Sequence, residues 1–216
     1  MNHSNYDNYN RAHISGELVG ESVLSHEIYG EKFYKSAVRA VRLSGAYDTV
    51  PVLISERIMP KDWTAGKTVH AIGQFRSHNE IVDGRSRLKL YVFIRELLDE
   101  PADRNPNRIF LAGYVCKKPN YRTTPFSREI ADLLIAANRA YNKCDYIPCI
   151  AWGRNARFVR DLNVGEWVTL EGRIQSREYE KQTPTGIELR TAYEVSITKI
   201  MAAEEETEFK SWEDEE

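Results

Sequence analysis

Apolar and polar positions alternate with a period of two along much of the chain, which predicts β-strands. In residues 108–200 the alternating or apolar runs are RIFLAGYV, IADLLIAAN, YIPCIAW, WVTLEGRIQSREYE and TAYEVSITKI. The segment NARFVRDL instead places Ala156, Val159 and Leu162 on one face of a helix, with Asn155 as its N-cap. Five strands with a helix between the third and fourth are the order of an OB-fold, a five-stranded Greek-key barrel. Order alone leaves an SH3-like barrel open.

The same pattern occurs twice. DTVPVLI at 48–54 parallels DYIPCIA at 145–151, and AGKTVHAIGQFRS at 65–77 parallels VGEWVTLEGRIQS at 164–176. Such self-similarity predicts two copies of one domain, so we expect an all-β chain of two tandem OB-folds with one short helix per domain. The predicted divisions are a disordered N-terminus 1–13, a divergent OB-fold 14–99, a linker 100–106, a second OB-fold 107–200 and an acidic disordered tail 201–216.

Two glycines lie inside predicted strands of the second copy. Gly113 and Gly172 have no side chain, which suits a bulge or a tight bend where a small barrel closes. We therefore expect these two positions to mark irregularities of the strands rather than their ends.

The charge of the chain is unevenly distributed along its 216 residues. Residues 101–200 carry 16 bases and 11 acids, whereas residues 201–216 carry eight acids and one lysine. A basic half followed by an acidic tail favours a nucleic-acid partner. No apolar run is long enough for a membrane span and the N-terminus does not resemble a signal peptide, so we expect a cytoplasmic protein. The spacing of cysteines and histidines predicts no disulfide, metal or cofactor site, and no catalytic motif predicts an enzyme.

The strand YIPCIAW has two different sides. Tyr146 and Trp152 fall on one side, while the smaller Ile147, Cys149 and Ala151 fall on the other and suit the inside of a narrow barrel. We therefore expect the two rings to face outward, where each stacked base contributes about 1–3 kcal/mol. Further candidates are two tyrosines near predicted turns and six cations that would contact phosphates: Tyr141, Tyr179, Arg154, Arg177, Arg157, Arg173, Arg122 and Lys143.

The second copy resembles a known family. The runs NRIFLAGYVCKKPNYRTTPFSREIADLLIAANRAYNKCDYIPCIAWGRNARFV and GEWVTLEGRIQSREYE are similar to bacterial single-stranded DNA-binding proteins (SSB). The resemblance implies sequence-independent binding of single-stranded DNA in replication, recombination and repair, at the nucleoid. It implies four OB-folds per assembly, here a homodimer. It also implies stacking and phosphate contacts at the matching positions, which are Tyr141, Tyr146, Trp152, Tyr179, Arg154 and Arg177.

The first copy and the tail depart from that family. Where the second copy has rings, the first has Thr49 for Tyr146, Ser55 for Trp152 and Glu80 for Tyr179. We therefore expect the first copy to bind DNA weakly or by another face, and mainly to build the assembly. The tail ends in Asp-Glu-Glu instead of the family's Pro-Phe. Phe209 and Trp212, set among acids, are candidates for contacting replication and repair proteins or for competing with DNA.

Two other functions stay open. One is an accessory primosome or phage-type OB protein that binds single strands weakly and recruits partners. The other is an OB-fold scaffold for protein interactions without nucleic-acid binding, because a fold does not determine a function. Affinity for oligo-dT separates these alternatives from a protein that coats DNA.

Overall fold

A computed structural model describes residues 9–82, 84–102, 104–183 and 186–202. The candidates Phe209 and Trp212 lie outside the described residues. The described parts of the chain form β1 (Asn10–Ile28), β2 (Glu31–Val41), β3 (Tyr47–Ser55), β4 (Thr68–Val82), β5 (Arg85–Leu98), β6 (Asn107–Val115), β7 (Asn120–Thr123), β8 (Glu129–Arg139), β9 (Lys143–Trp152), α1 (Arg154–Arg160), β10 (Trp167–Thr183) and β11 (Gly186–Ala202).

The strands form two barrels of identical topology. In the first barrel the order is β2-β3-β5-β4-β1, and pairing of β1 with β2 closes it. In the second the order is β6-β10-β11-β9-β8, closed by β6 with β8, while the short strand β7 pairs with β8. In each barrel the third strand runs parallel to the fifth, and the other pairs are antiparallel. The chain therefore contains two OB-folds in tandem, as the repeat predicted.

Strands β1 and β6 join the barrels into one sheet. They pair antiparallel, with Ala12 opposite Ile109, Asn10 opposite Leu111 and Ile14 opposite Asn107. In the repeat, Asn107 and Leu111 are the counterparts of Asn10 and Ile14. The contact therefore has an approximate two-fold axis, the geometry that two identical subunits would use, built here within one polypeptide.

A buried asparagine fastens the first strand of each barrel to the fourth. Asn10 donates from Nδ2 to the carbonyl oxygen of Phe75 (2.8 Å), and the Phe75 N–H donates to Asn10 Oδ1 (2.9 Å). Asn107 makes the same pair of bonds with Ile174, at 2.6 and 2.9 Å. Because buried backbone groups without partners are costly, these clamps stabilise both barrels where they meet.

Gly172 lies at an irregularity of its strand, as predicted, whereas Gly113 lies in regular pairing where the barrel closes. A Cβ on Gly113 would lie 2.3 Å from the carbonyl oxygen of Ala136, where β6 closes the barrel against β8. A Cβ on Gly172 would lie 2.3 Å from the carbonyl oxygen of Ser196, beside a register shift between β10 and β11. At both places a side chain would collide with the neighbouring backbone.

The predicted helices are partly wrong. Between β3 and β4 the described chain forms turns rather than a helix, because Pro60 lacks an N–H and disfavours the helical conformation at Met59. In the second barrel the N-cap is Gly153, not Asn155. The Asn155 side chain donates instead to the carbonyl oxygen of Thr198 (3.0 Å).

The first and the last strand extend beyond the predicted bounds of the two OB-folds. β1 begins at Asn10, within the predicted disordered segment 1–13, because Asn10 and Ala12 are buried. β11 continues to Ala202, because Met201 is buried opposite Thr169. The edge strand β7 was not predicted, since four residues in a polar context carry little periodic signal. The division into domains and linker stays a prediction.

Candidate nucleic-acid interface

The outer face of β9 carries two half-exposed rings. Tyr146 is 46% exposed and Trp152 41%, whereas Ile147, Cys149 and Ala151 on the other side of the strand are buried in the core. The predicted orientation of this strand is therefore confirmed. Six residues of strand separate the rings, which corresponds to about 20 Å at roughly 3.3 Å per residue. An extended polymer can contact both at once.

Further candidates lie at the two ends of β9. Tyr141 is exposed in the β8–β9 turn, where its φ of 63° is a left-handed conformation. Lys143 is the first residue of β9. Beyond the other end of the strand, Arg154 begins α1 and is exposed two residues after Trp152. The structure thus aligns three aromatic and two cationic candidates along one strand and its flanks.

Arg157 and Arg122 already have acidic partners. Arg157 forms an ion pair with Glu129, and Arg122 forms one with Asp132. A hydrogen bond from the Tyr121 hydroxyl, together with Arg157, holds the pKa of Glu129 below its usual value. Glu129 therefore stays ionised at neutral pH. These two arginines offer DNA less net charge than Arg154.

Arg173 lies at the contact between the barrels rather than beside the rings. It is half-buried on β10, and its Nη2 donates to Gln175 Oε1 (3.3 Å). Burial and the nearby Arg42 lower its pKa. Arg42 itself pairs with the buried Asp48 of the first barrel. The structure therefore separates Arg173 from the other candidates, although its type and position in the sequence matched theirs.

The first barrel holds the backbone at Tyr146. The Tyr146 N–H donates to Ser77 Oγ, and the Ser77 N–H donates to Asp145 Oδ1, both at 2.8 Å. Burial raises the pKa of Asp145. The corresponding hydrogen bond of the other barrel runs from the Ser176 N–H to Asp48 Oδ1, at 3.4 Å. The position of the Tyr146 ring thus depends on both barrels.

Tyr179 and Arg177 lie on the hairpin formed by β10 and β11. The Arg177 guanidinium lies 5.7 Å from the centre of the Tyr179 ring, and Tyr179 is 36% exposed. Tyr179 lines a groove of about 880 Å³, here called the interbarrel groove, whose walls come from the β4–β5 hairpin, the β10–β11 hairpin and parts of β1, β2, β3 and β9.

Sequence reasoning missed several aromatic residues of the second barrel. Phe126 is exposed in the turn between β7 and β8, where an apolar ring in TTPFS was a usable signal. Tyr114 is exposed and packs edge-on against Trp167, with 4.7 Å between ring centres. Strand pairing places Tyr114 opposite Ala136, and Ala136 opposite Tyr146. Only the closed barrel brings Tyr114 close to Tyr146.

Within the described residues, no group of three or more His, Cys, Asp or Glu side chains is arranged to hold a metal ion. The only α-helix in those parts of the chain, α1, has seven residues and is therefore too short to cross a membrane.

Comparison with known sequences concerns the second barrel. Residues 106–203 match the model of the single-strand binding protein family. Single-stranded DNA-binding protein 1 of Staphylococcus aureus is 37% identical over 83 residues, which are 35% of this chain and 50% of that protein. Single-stranded DNA-binding protein A of Bacillus subtilis is 35% identical over 83 residues, 35% of this chain and 48% of that protein. The chain spans about half the length of these curated relatives.

Comparison with solved structures extends over both barrels. The wild-type single-stranded DNA binding protein from Thermus aquaticus superposes with a TM-score of 0.70 and 17% identity, covering 89% of this chain and 92% of that one. A deletion mutant of the same protein gives a TM-score of 0.68 and 18% identity, covering 96% and 98%. At this identity the similarity concerns the fold.

Proposed function

We propose that this chain binds single-stranded DNA without sequence preference, because residues 106–203 match the model of the single-strand binding protein family. It acts as a binding protein rather than an enzyme. The observation that carries the proposal is the pair of half-exposed rings, Tyr146 and Trp152, on a strand whose opposite side fills the core. The sister strand β3 has Thr49 and Ser55 at these positions and still forms its barrel, so the OB-fold itself does not require the rings.

Base stacking and phosphate contacts together explain how the protein binds single-stranded DNA of any nucleotide sequence. Every base has a π-face, so a ring such as Trp152 accepts any of them. Arg154 and Lys143, at the two ends of β9, contact phosphates, which are the same at every nucleotide. Each phosphate neutralised on a single strand steepens the fall of log K with log salt concentration by about 0.7.

The test is fluorescence anisotropy of labelled oligo-dT at several salt concentrations, with the wild type and Trp152→Ala. Loss of one stack of about 1–3 kcal/mol weakens binding by about 5- to 150-fold. Tyr47→Ala is the control, because Tyr47 is an exposed ring at the start of β3, the sister strand that lacks rings at the positions of Tyr146 and Trp152. An absence of binding by the wild type at low salt would falsify the function and favour the protein-interaction scaffold. Weak binding with a small site size would favour the accessory protein.

We further propose that the working assembly is a homodimer with four OB-folds, acting in replication, recombination and repair at the nucleoid in the cytoplasm. Each chain contributes two barrels and has a mass of 25.0 kDa. Light scattering is expected to give twice the chain mass, and the chain mass alone would contradict the dimer.

The acidic tail is proposed to contact replication and repair proteins through Phe209 and Trp212. The alternative is that the tail competes with DNA for the basic face. Deleting residues 204–216 tightens DNA binding at low salt if the tail competes, and leaves it unchanged if the tail serves only partners.

A further inference from the structure

The interbarrel groove is rich in cations from both barrels. Its walls contain five lysine and arginine side chains and one acid. The cations from the first barrel are Lys35, Arg87 and Lys89, and those from the second are Lys181 and Arg190, whereas the acid is Glu80. Residues 1–100 carry no net charge, so this local excess could not be predicted from the composition of the first copy.

The acidic side chains at the groove do not cancel its charge. Glu80 forms an ion pair with Lys89, at 3.4 Å. Glu188, on the β10–β11 hairpin, accepts a hydrogen bond from Arg190 Nε at 2.9 Å and lies 3.8 Å from Arg87 Nη1. Among the described residues, two carboxylates thus face five cations, which leaves a positive excess in a concave site, where low-dielectric walls strengthen its attraction for anions.

Cations from different strands of the groove act on the same side chain, His78. Burial lowers its pKa, and Lys35, Lys89 and His26 lower it further against the opposing effect of Glu80. These side chains come from β1, β2, β4 and β5, so their fields add at one point of the groove. The His78 ring also packs edge-on against Tyr91, with 5.5 Å between ring centres.

The groove also offers rings to bases. Tyr179, on the hairpin of the second barrel, lines it and is 36% exposed, and the half-buried Tyr91 and Tyr193 also line it. Cations next to an accessible aromatic ring are the combination that binds single-stranded nucleic acid. A groove of about 880 Å³ lined by such residues has the chemistry for a polyanion that carries planar bases.

The groove is continuous with the outer face of β9. Pro148 lies on the same side of β9 as Tyr146, two residues further along the strand, and lines the groove. Two residues of strand correspond to about 7 Å. A strand of DNA stacked on Tyr146 therefore reaches the groove without crossing an unrelated surface.

We propose that the interbarrel groove is a second segment of the path of single-stranded DNA, in which first-barrel cations, chiefly Lys35 and Lys89, bind phosphates while Tyr179 stacks a base. This inference rests on the proposed function and deepens it. The first barrel contributes charge where the second contributes rings, and Tyr179 acts at the first barrel's surface rather than beside Trp152.

The test compares two charge reversals in the first barrel of the full-length chain. Lys35→Glu changes an exposed lysine of the groove, and Lys61→Glu changes an exposed lysine in the turns between β3 and β4, away from it. Affinity is measured with oligo-dT of about 10 and about 35 nucleotides, because one OB-fold covers roughly 4–16 nucleotides. The proposal expects Lys35→Glu to weaken binding of the longer oligonucleotide by about 5- to 20-fold, and to reduce the salt slope by about one, while Lys61→Glu changes little.

The outcomes separate this proposal from the function on which it rests. If the wild type binds neither oligonucleotide, the proposed function fails. If the wild type binds and Trp152→Ala weakens binding, but Lys35→Glu equals Lys61→Glu with the longer oligonucleotide, the groove proposal alone fails. Tighter DNA binding by Lys35→Glu also overturns it, since the groove would then attract a competing anion such as the acidic tail. Photocrosslinking of iodouracil-substituted oligonucleotide is expected at Tyr179, and its absence in a bound complex excludes base stacking there.

Discussion

The two barrels of this chain share one topology but have different surfaces. Each fastens its first strand with a buried asparagine and sends a buried aspartate to a serine of the other barrel. Trp152 of the second barrel is half-exposed, while Ser55, its counterpart, is buried and donates to Glu31. The core, the asparagine clamps and the interbarrel hydrogen bonds are common to both barrels and therefore stabilise the fold. The rings of β9 occur in one barrel only, so the fold does not require them.

Removing both rings of β9 has the largest expected effect. Tyr146→Ala combined with Trp152→Ala removes two stacks, together about 2–6 kcal/mol of binding free energy for single-stranded DNA. Thr49→Ala combined with Tyr47→Ala on the sister strand is the matched control and is expected to change affinity much less. Anisotropy with oligo-dT measures both. Equal losses in the two double variants would mean that the barrels bind alike.

Removing an asparagine clamp should affect the two barrels similarly. Asn10→Ala and Asn107→Ala each leave a buried N–H and a buried carbonyl without partners, at Phe75 and Ile174 respectively. We expect each to lower the free energy of unfolding by about 2–4 kcal/mol, measured by urea denaturation. Asn120→Ala, on the exposed edge strand β7, is the control. A large effect of only one clamp variant would show that the barrels differ in stability as well as in surface.

A smaller effect is expected from the arginine that follows each sister strand. Arg154 is exposed at the start of α1, whereas its counterpart Arg57 forms an ion pair with Glu31 at 3.1 Å. Arg154→Ala should reduce the salt slope of DNA binding by about 0.7, and Arg57→Ala by less. The slope is read from affinities between low and moderate salt. A larger reduction of the salt slope by Arg57→Ala than by Arg154→Ala would place the phosphate contacts on the first barrel.

The smallest effect concerns pH. Burial and Lys35 hold the pKa of His78 below its usual value, so His78 is neutral at pH 7. If phosphates enter the groove, they raise the pKa of His78 in the complex, and binding takes up a proton. Affinity for a long oligonucleotide should therefore rise, by about threefold or less, as the pH falls from 7.5 to 6.

The charged and titratable groups that face His78 are His26, Lys35, Glu80, Lys89 and Tyr91. His78→Arg, which installs the residue type of the counterpart Arg177, should remove the His78 contribution to this dependence. An unchanged pH profile in this variant would contradict a role of His78.

Much of the fold could be predicted because it is local and repeated. The period of two located the strands of the second barrel, and the small side chains opposite Tyr146 and Trp152 indicated which side of β9 faces the core. The helices were less predictable. Asn155 is a good N-cap by residue type, but its side chain bonds to Thr198, which lies 43 residues away in the chain.

The candidate site was only partly predictable because it depends on contacts between distant residues. Arg173 and Arg154 look alike in sequence, yet one lies against Arg42 of the first barrel and the other is exposed. Lys35, His78 and Lys89 gave no signal, since they are scattered over three strands of a copy without net charge. Tyr179 was expected in the second barrel's site and instead lines a groove that both barrels form.

The amino-acid sequence by itself determined the repeat, the two barrels, the resemblance of the second copy and the outward side of β9, because each depends on short-range periodicity or on matching runs of residues. Only the tertiary structure decided how the barrels meet and which cations share a groove. Pairing of β1 with β6 sets the pseudo-symmetric contact, and that contact brings residues more than a hundred positions apart next to each other. The positive charge of the groove follows from their proximity, which no local pattern contains.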